Sequence, residues 1–156
     1  MSQALHATCV VVGDAGVLIR GPSGTGKSTL ARRIVEEATR RGLFARLVSD
    51  DRVLVRVHDG RAVARTHPAI AGSLEMRGRG LLHGAHESAA VLRLVVDCGV
   101  VALDRMPDRD DLMAEVAGVS LPRIVAGPED ADRVFLALGR GSFSSEPGNP
   151  KPANAL

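Results

Sequence analysis

The chain has 156 residues, 45% of them hydrophobic and 24% charged, with a formal net charge of +2. That is the length of one domain able to bury a core, and the charge is too small to imply a nucleic-acid or membrane partner. Aromatics are 2% of the chain, with no Trp or Tyr, so the stacking platforms of single-strand nucleic-acid binders are missing. Cys9 and Cys98 form no Cys-x-x-Cys pair, and neither a signal stretch nor a run of roughly 18 apolar residues is present, which predicts reduced thiols in a soluble, cytoplasmic protein.

Ala7 to Val12 is a continuous apolar run, followed by Gly13-Asp14-Ala15-Gly16 and a second run, Val17 to Ile19. The pattern predicts a hairpin. Its second strand leads into Gly21-Pro22-Ser23-Gly24-Thr25-Gly26-Lys27-Ser28, a Gly-x-x-x-x-Gly-Lys-Ser phosphate loop. In such a loop the backbone N–H groups wrap nucleotide phosphates, the lysine reaches the β/γ oxygens and the serine hydroxyl holds Mg²⁺. From Ser28 the periodicity is helical: Leu30, Ala31, Ile34, Val35 and Ala38 share a face opposite Arg32, Arg33, Glu36, Glu37 and Arg40, and Gly42 supplies the stop. Ala45 to Val48 reads as a short buried strand ending at Ser49-Asp50-Asp51.

Alternation over Val53–Val57 and Arg61–Arg65 around Asp59-Gly60 predicts a second hairpin. His67 to Gly84 is glycine-rich and loop-like, with a short apolar stretch at Leu74-Glu75-Met76. Val91–Val96 reads as a strand, Met106–Asp111 as a charged loop and Leu112–Val116 as a short helix at most. Leu121–Val125 fits an edge strand because Pro122 removes a donor. Pro128 suits a helix first turn before Ala131, Val134, Phe135 and Leu138. From Gly139 onward Ser, Pro, Gly and Asn predict a disordered tail, leaving a domain of residues 1–138. The whole reads as an α/β domain with a mixed sheet, since the chain holds too few helices for strict β-α alternation.

Asp50 and Asp51 end a strand 23 residues after Lys27. Acids at the carboxyl end of a strand beside the phosphate-loop strand are placed to meet a γ-phosphate and its metal. Two adjacent carboxylates point different ways, one toward an attacking hydroxyl and the other toward the metal-water shell; a turn or cap acid is the plainer alternative. Glu75 is a solvated strand residue or a metal ligand, and Arg77 and Arg79 are phosphate grips or scattered surface charges. Taken singly, His6 is an ordinary exposed histidine and Arg105 a surface partner of Asp104. By itself the loop serves a protein kinase, a small-molecule kinase, an ATPase or a nucleotide-sensing module equally well.

Ordered pieces narrow the choice: His6-Ala7-Thr8, Gly21 to Ser28, Leu47-Val48-Ser49-Asp50-Asp51-Arg52-Val53, Leu74-Glu75-Met76-Arg77-Gly78-Arg79-Gly80, Leu103-Asp104-Arg105 and Leu121-Pro122-Arg123. In this series the chain resembles the catalytic domain of HPr kinase/phosphorylase, in a short form without the family's N-terminal domain. The resemblance implies a P-loop fold similar to the nucleotide-binding core of phosphoenolpyruvate carboxykinase. It implies ATP and Mg²⁺ as cofactors, a serine of an HPr-like phosphocarrier as acceptor, and a homo-oligomer. It also implies roles: Asp50 as the acid that exchanges the serine proton, Lys27 as the catalytic lysine, Ser28 and Glu75 as magnesium ligands beside Asp51, and His6 and Arg105 in the active site. Residues Gly21 to Ser28, with Thr29, form the nucleotide-binding set; Thr29 stands where longer members commonly carry an acid. Six extra residues, placed at Arg40 to Arg46, lengthen the spacing from Lys27 to Asp50. Where longer members have a basic Arg-Pro-Gly-Arg-like segment, this chain has Val125-Ala126-Gly127-Pro128-Glu129-Asp130, which predicts weak reverse phosphorolysis.

Overall fold

The structure is a computed structural model and describes residues 2–67, 73–76, 80–83, 86–99 and 109–139. Chain order is β1 (Gln3–Leu5), β2 (Ala7–Val12), β3 (Ala15–Arg20), α1 (Lys27–Arg40), β4 (Ala45–Ser49), β5 (Val53–His58), β6 (Arg61–Thr66), β7 (Ser73–Met76), β8 (Gly80–His83), β9 (Ala89–Asp97), a 3-10 turn (Arg109–Leu112), β10 (Met113–Val116), β11 (Val119–Val125) and α2 (Ala131–Ala137). The main sheet runs β1-β5-β6-β9-β3-β2-β4, and the β10–β11 ribbon joins it at β9. The sheet is mixed: β3 and β11 run parallel to β9, while β6 runs antiparallel to it.

The apolar runs are unbroken because both faces of the central strands are covered. Val10 and Val12 of β2, with Val17 and Ile19 of β3, face α1 through Leu30 and Ile34 and α2 through Val134 and Phe135. Their alternates, Cys9, Val11 and Leu18, face the other way, toward Val53, Val55, Ala62 and Ala64 of the curled β5–β6 arm. Strand β9 serves both layers through a bulge. Gly16 pairs with Leu92 but Val17 pairs with Leu94, so exposed Arg93 is the extra residue and the inward face switches across it. A Cβ on Gly16 would lie 2.8 Å from the Val91 carbonyl oxygen, so the close approach at this bulge needs glycine.

The first hairpin, α1, β4 and the Asp59-Gly60 hairpin lie where the sequence puts them. Four readings change. Leu112–Val116 is not a helix: Met113–Val116 is a strand paired antiparallel with β11. Its turn is Ala117-Gly118, both at positive φ (51° and 83°), and an alanine there gives none of the Asn-Gly or Asp-Gly signal that marks such turns. Strand β11 is more than an edge: Pro122 falls where its ladder passes from β10 to β9. The last helix begins after Asp130, with Pro128 in the preceding turn. Within the glycine-rich stretch, β7 and β8 pair as a hairpin with Glu75 opposite Leu81. Residues 140–156, expected as a tail, lie outside the described residues. Both cysteines are free and buried, and burial pushes the thiols up, Cys9 to about 12 and Cys98 to about 11. Among the described residues no helix is long and apolar enough to cross a membrane.

Candidate functional site

The glycine-rich loop spans the gap from Arg20 at the end of β3 to Lys27 at the start of α1. It lies flush against its neighbours. A Cβ on Gly21 would come within 2.6 Å of the Cys98 carbonyl oxygen, and one on Gly26 within 2.7 Å of Pro128 Cγ. Gly26 also takes φ 95°, a left-handed value that favours glycine. Thr25 Oγ1 donates to the Pro22 carbonyl at 2.7 Å. Lys27 folds back over the loop, and its Nζ donates to the carbonyls of Gly21 (2.8 Å) and Pro22 (3.2 Å). Helix α1 has no side-chain cap on its N-terminus and no acid in its first turn. Its leading N–H groups are thus left for an anion, at the positive end of the helix dipole.

Strand β4 delivers the acids. Asp50 is 5% exposed, and its Oδ1 accepts from both Thr8 Oγ1 and Ser28 Oγ, each at 2.8 Å. Asp51 takes φ 69° and turns aside; its carboxylate lies 3.3 Å from His6 Nδ1, both side chains being exposed. Ser23, Gly24, Gly26, Lys27, Ser28, Thr29, Asp50 and Asp51 together line a cleft of about 350 Å³. The structure therefore brings the loop and both acids into one place, with His6 joined through Asp51. Gly21, Pro22 and Thr25 shape the loop behind the cleft. Glu75 is on β7, which runs close to α1. The Glu75 side chain, and Arg77, Arg79 and Arg105, lie outside the described residues.

Two arrangements carried no sequence signal of their own. Thr8 follows His6 and Ala7 with no local pattern that assigns it a role, yet its hydroxyl donates to Asp50. Asp97 closes β9, the strand beside the loop strand, where an acid of this kind often faces a metal's water shell. Here both of its oxygens are taken: Arg20 Nε and Nη2 donate to Oδ1 and Oδ2 at 2.8 Å each, and Arg123 Nε donates to Oδ2. Burial alone would push the Asp97 carboxyl up, but the hydrogen bonds from Arg20 and Arg123 outweigh it and hold the group below its ordinary value. The partners stand 77 and 26 residues from Asp97, so no local pattern announces them.

The family model described as the HPr Serine kinase C-terminal domain matches residues 1–124. The chain belongs to this family. The HPr kinase/phosphorylase of Limosilactobacillus reuteri is 35% identical over 134 residues, which are 78% of this chain and 40% of that protein. The Enterococcus faecalis HPr kinase/phosphorylase is 37% identical over 132 residues, again 78% of this chain and 40% of the relative. The chain thus spans about 40% of the length of these curated relatives. The solved HPr(Ser) kinase/phosphatase from Coxiella burnetii superposes with a TM-score of 0.67 at 23% identity, covering 88% of this chain and 94% of that one. At that identity the likeness is one of fold, a mixed α/β unit with a curled sheet. The match to the HPr serine kinase domain takes in the glycine-rich loop, both acids and β7, and stops before α2.

Proposed function

We propose that the chain is the catalytic unit, residues 1–138, of an ATP- and Mg²⁺-dependent protein serine kinase acting in the cytoplasm on HPr or an HPr-like phosphocarrier. The carrying observation is the buried Asp50 carboxylate, fixed by two hydroxyls in the cleft that Lys27 and the uncapped start of α1 also line. The loop and the first turn of α1 fit a triphosphate: glycines lie flush on Cys98 and Pro128, N–H groups carry no cap, and a lysine ammonium sits over the loop. Ser28, Asp51 and Glu75 offer the hard oxygen donors that Mg²⁺ takes with water and phosphate oxygens. Bound there, Mg²⁺ supplies charge neutralisation to the phosphate chain.

In this reading Asp50 accepts the proton of the carrier serine as its Oγ bonds to the γ-phosphorus and the bond to the ADP oxygen breaks. Lys27 and the α1 N–H groups steady the phosphate charge, Arg105 adds a cation, and His6 orients Asp51. Forward transfer dominates. In the segment lacking arginines, Glu129 instead pairs with Arg33 of α1 at 2.8 Å and Asp130 accepts from the Gly127 N–H. A homo-oligomer completes the reading.

The experiment is transfer from γ-labelled ATP to purified HPr, run beside Asp50→Asn. Label on a carrier serine, lost by at least about 100-fold in Asp50→Asn while ATP affinity stays within about two-fold, is expected. Label released only as free phosphate would assign an ATPase, and ATP binding with neither a sensor. Phosphate-driven removal of the serine phosphate as fast as its addition would contradict the forward bias.

A further inference from the structure

We propose that Thr8 is a positioning residue for phosphoryl transfer, its buried hydroxyl fixing both the Asp50 carboxylate and the backbone of Asp51. The inference rests on the kinase reading above and adds to it a residue that never meets the nucleotide. Thr8 is fully buried on β2, between Ala7 and Cys9 of the apolar core, and is not among the residues lining the cleft. A hydroxyl in such surroundings is costly unless it is bonded. This one works in both directions: it donates to Asp50 Oδ1 at 2.8 Å and accepts from the Asp51 N–H at 3.3 Å. Threonine is β-branched and stiff at χ1, so on a paired strand it makes a rigid anchor.

The strand opposite is shaped to meet it. In the β2–β4 pairing Cys9 stands against Ser49 but Val10 against Leu47, which leaves Val48 as a bulged residue just before the acids. Bulges of this kind re-aim the side chains that follow them. Three residues after Val48, Asp51 holds a left-handed φ of 69°, unusual for a side-chain-bearing residue, and its N–H donates to the Thr8 hydroxyl. The backbone twist sends the Asp51 carboxylate toward His6 and leaves Asp50 turned to Ser28. One hydroxyl thus separates the two adjacent acids into different directions, as a division between proton acceptor and metal-side group requires.

The test compares Thr8→Val and Thr8→Ser in the full chain. In Thr8→Val, turnover on the carrier should fall about ten-fold or more, the size expected for losing a hydrogen bond to a charged group, while KM for ATP moves less than about two-fold. Thr8→Ser should return to within about three-fold of the parent. Exchange of the Asp51 amide, followed by NMR, should quicken in Thr8→Val and stay slow in Thr8→Ser. Parental turnover in Thr8→Val, or equal losses in both variants, would overturn the assignment. A parent chain that phosphorylates no carrier would sink the kinase reading alone. Asp51 amide exchange then decides for Thr8, and unchanged exchange in Thr8→Val removes it.

Discussion

Lys27 is 6% exposed, and among the described residues its Nζ donates to the loop carbonyls of Gly21 and Pro22 and to no carboxylate. The difference matters chemically. An ammonium locked to a buried acid spends its charge on that partner, whereas one held by the dipoles of Gly21 and Pro22 keeps it for an incoming anion. Asp50, in the same cleft, accepts hydrogen bonds from the Thr8 and Ser28 hydroxyls, which orient its carboxylate. The lysine and the acid thus line one cleft on different hydrogen-bond partners. Replacing Lys27 with Ala removes the cation while leaving the Thr8 and Ser28 hydroxyls on Asp50. ATP affinity, measured by isothermal titration calorimetry, should weaken about ten- to 100-fold, in line with the loss of a charge-assisted contact. Transfer should fall further than binding, because charge on the phosphoryl group is met most strongly in the transition state. Parental affinity and rate in Lys27→Ala would remove the loop lysine from both roles.

At the scale of elements, the loop is only as steady as the strand ends that carry it. Arg20, the last residue of β3, is clamped in bidentate fashion by Asp97 at the end of β9, and Asp97 also receives Arg123 from β11. Three strands are thus tied together one residue before Gly21. The hydrogen bond to Asp97 in turn raises the Arg20 pKa, so the pair favours its charged form from both sides. The sign of the pH dependence follows. A carboxyl whose folded value is depressed contributes stability above the unfolded value, near 3.9, and loses that contribution as pH falls through the folded value. Asp97→Asn leaves two arginines facing a neutral amide, and removing one partner of a buried ion pair costs about 3 kcal/mol. Urea unfolding at pH 7 should show that loss, and the gap between parent and variant should shrink below about pH 4. A gap that widens with acid would mean that the ionised Asp97 is not the source of the lost stability.

Across the whole molecule, local signals were legible and distant ones were not. The β2–β3 hairpin, the loop and α1 are written in contiguous periodicity and glycine placement, and Asp50 was placed by its position after an apolar strand. The Asp97 cluster and the Thr8 hydroxyl become visible only when strands far apart in sequence are laid side by side. The sequence pattern suggests a short helix at Leu112–Val116 where β10 lies, because Ala117 takes a positive φ that alanine does not advertise. The far end of the chain shows the same gap between pattern and packing. The family match ends at residue 124, yet α2, at Ala131–Ala137, inserts Val134 and Phe135, both fully buried, into the core against α1. Arg41 just past α1 covers the Phe135 ring at 4.3 Å, and Pro128 ahead of α2 fills the space beside Gly26. The segment after the match therefore backs the loop as well as the core. Truncating a buried phenylalanine to alanine alone costs about 3–5 kcal/mol, a large share of the roughly 5–15 kcal/mol that holds a domain together. A chain cut after Ala126 should accordingly lose its cooperative thermal transition or melt more than about 10 °C lower, and lose ATP binding with it. A chain cut after Gly139 keeps every core residue named above and should melt within about 2 °C of the parent. Circular dichroism melts of the two truncations decide the point. A stable, ATP-binding chain of residues 1–126 would show that the family match already marks a self-sufficient unit and that α2 is an ornament on it.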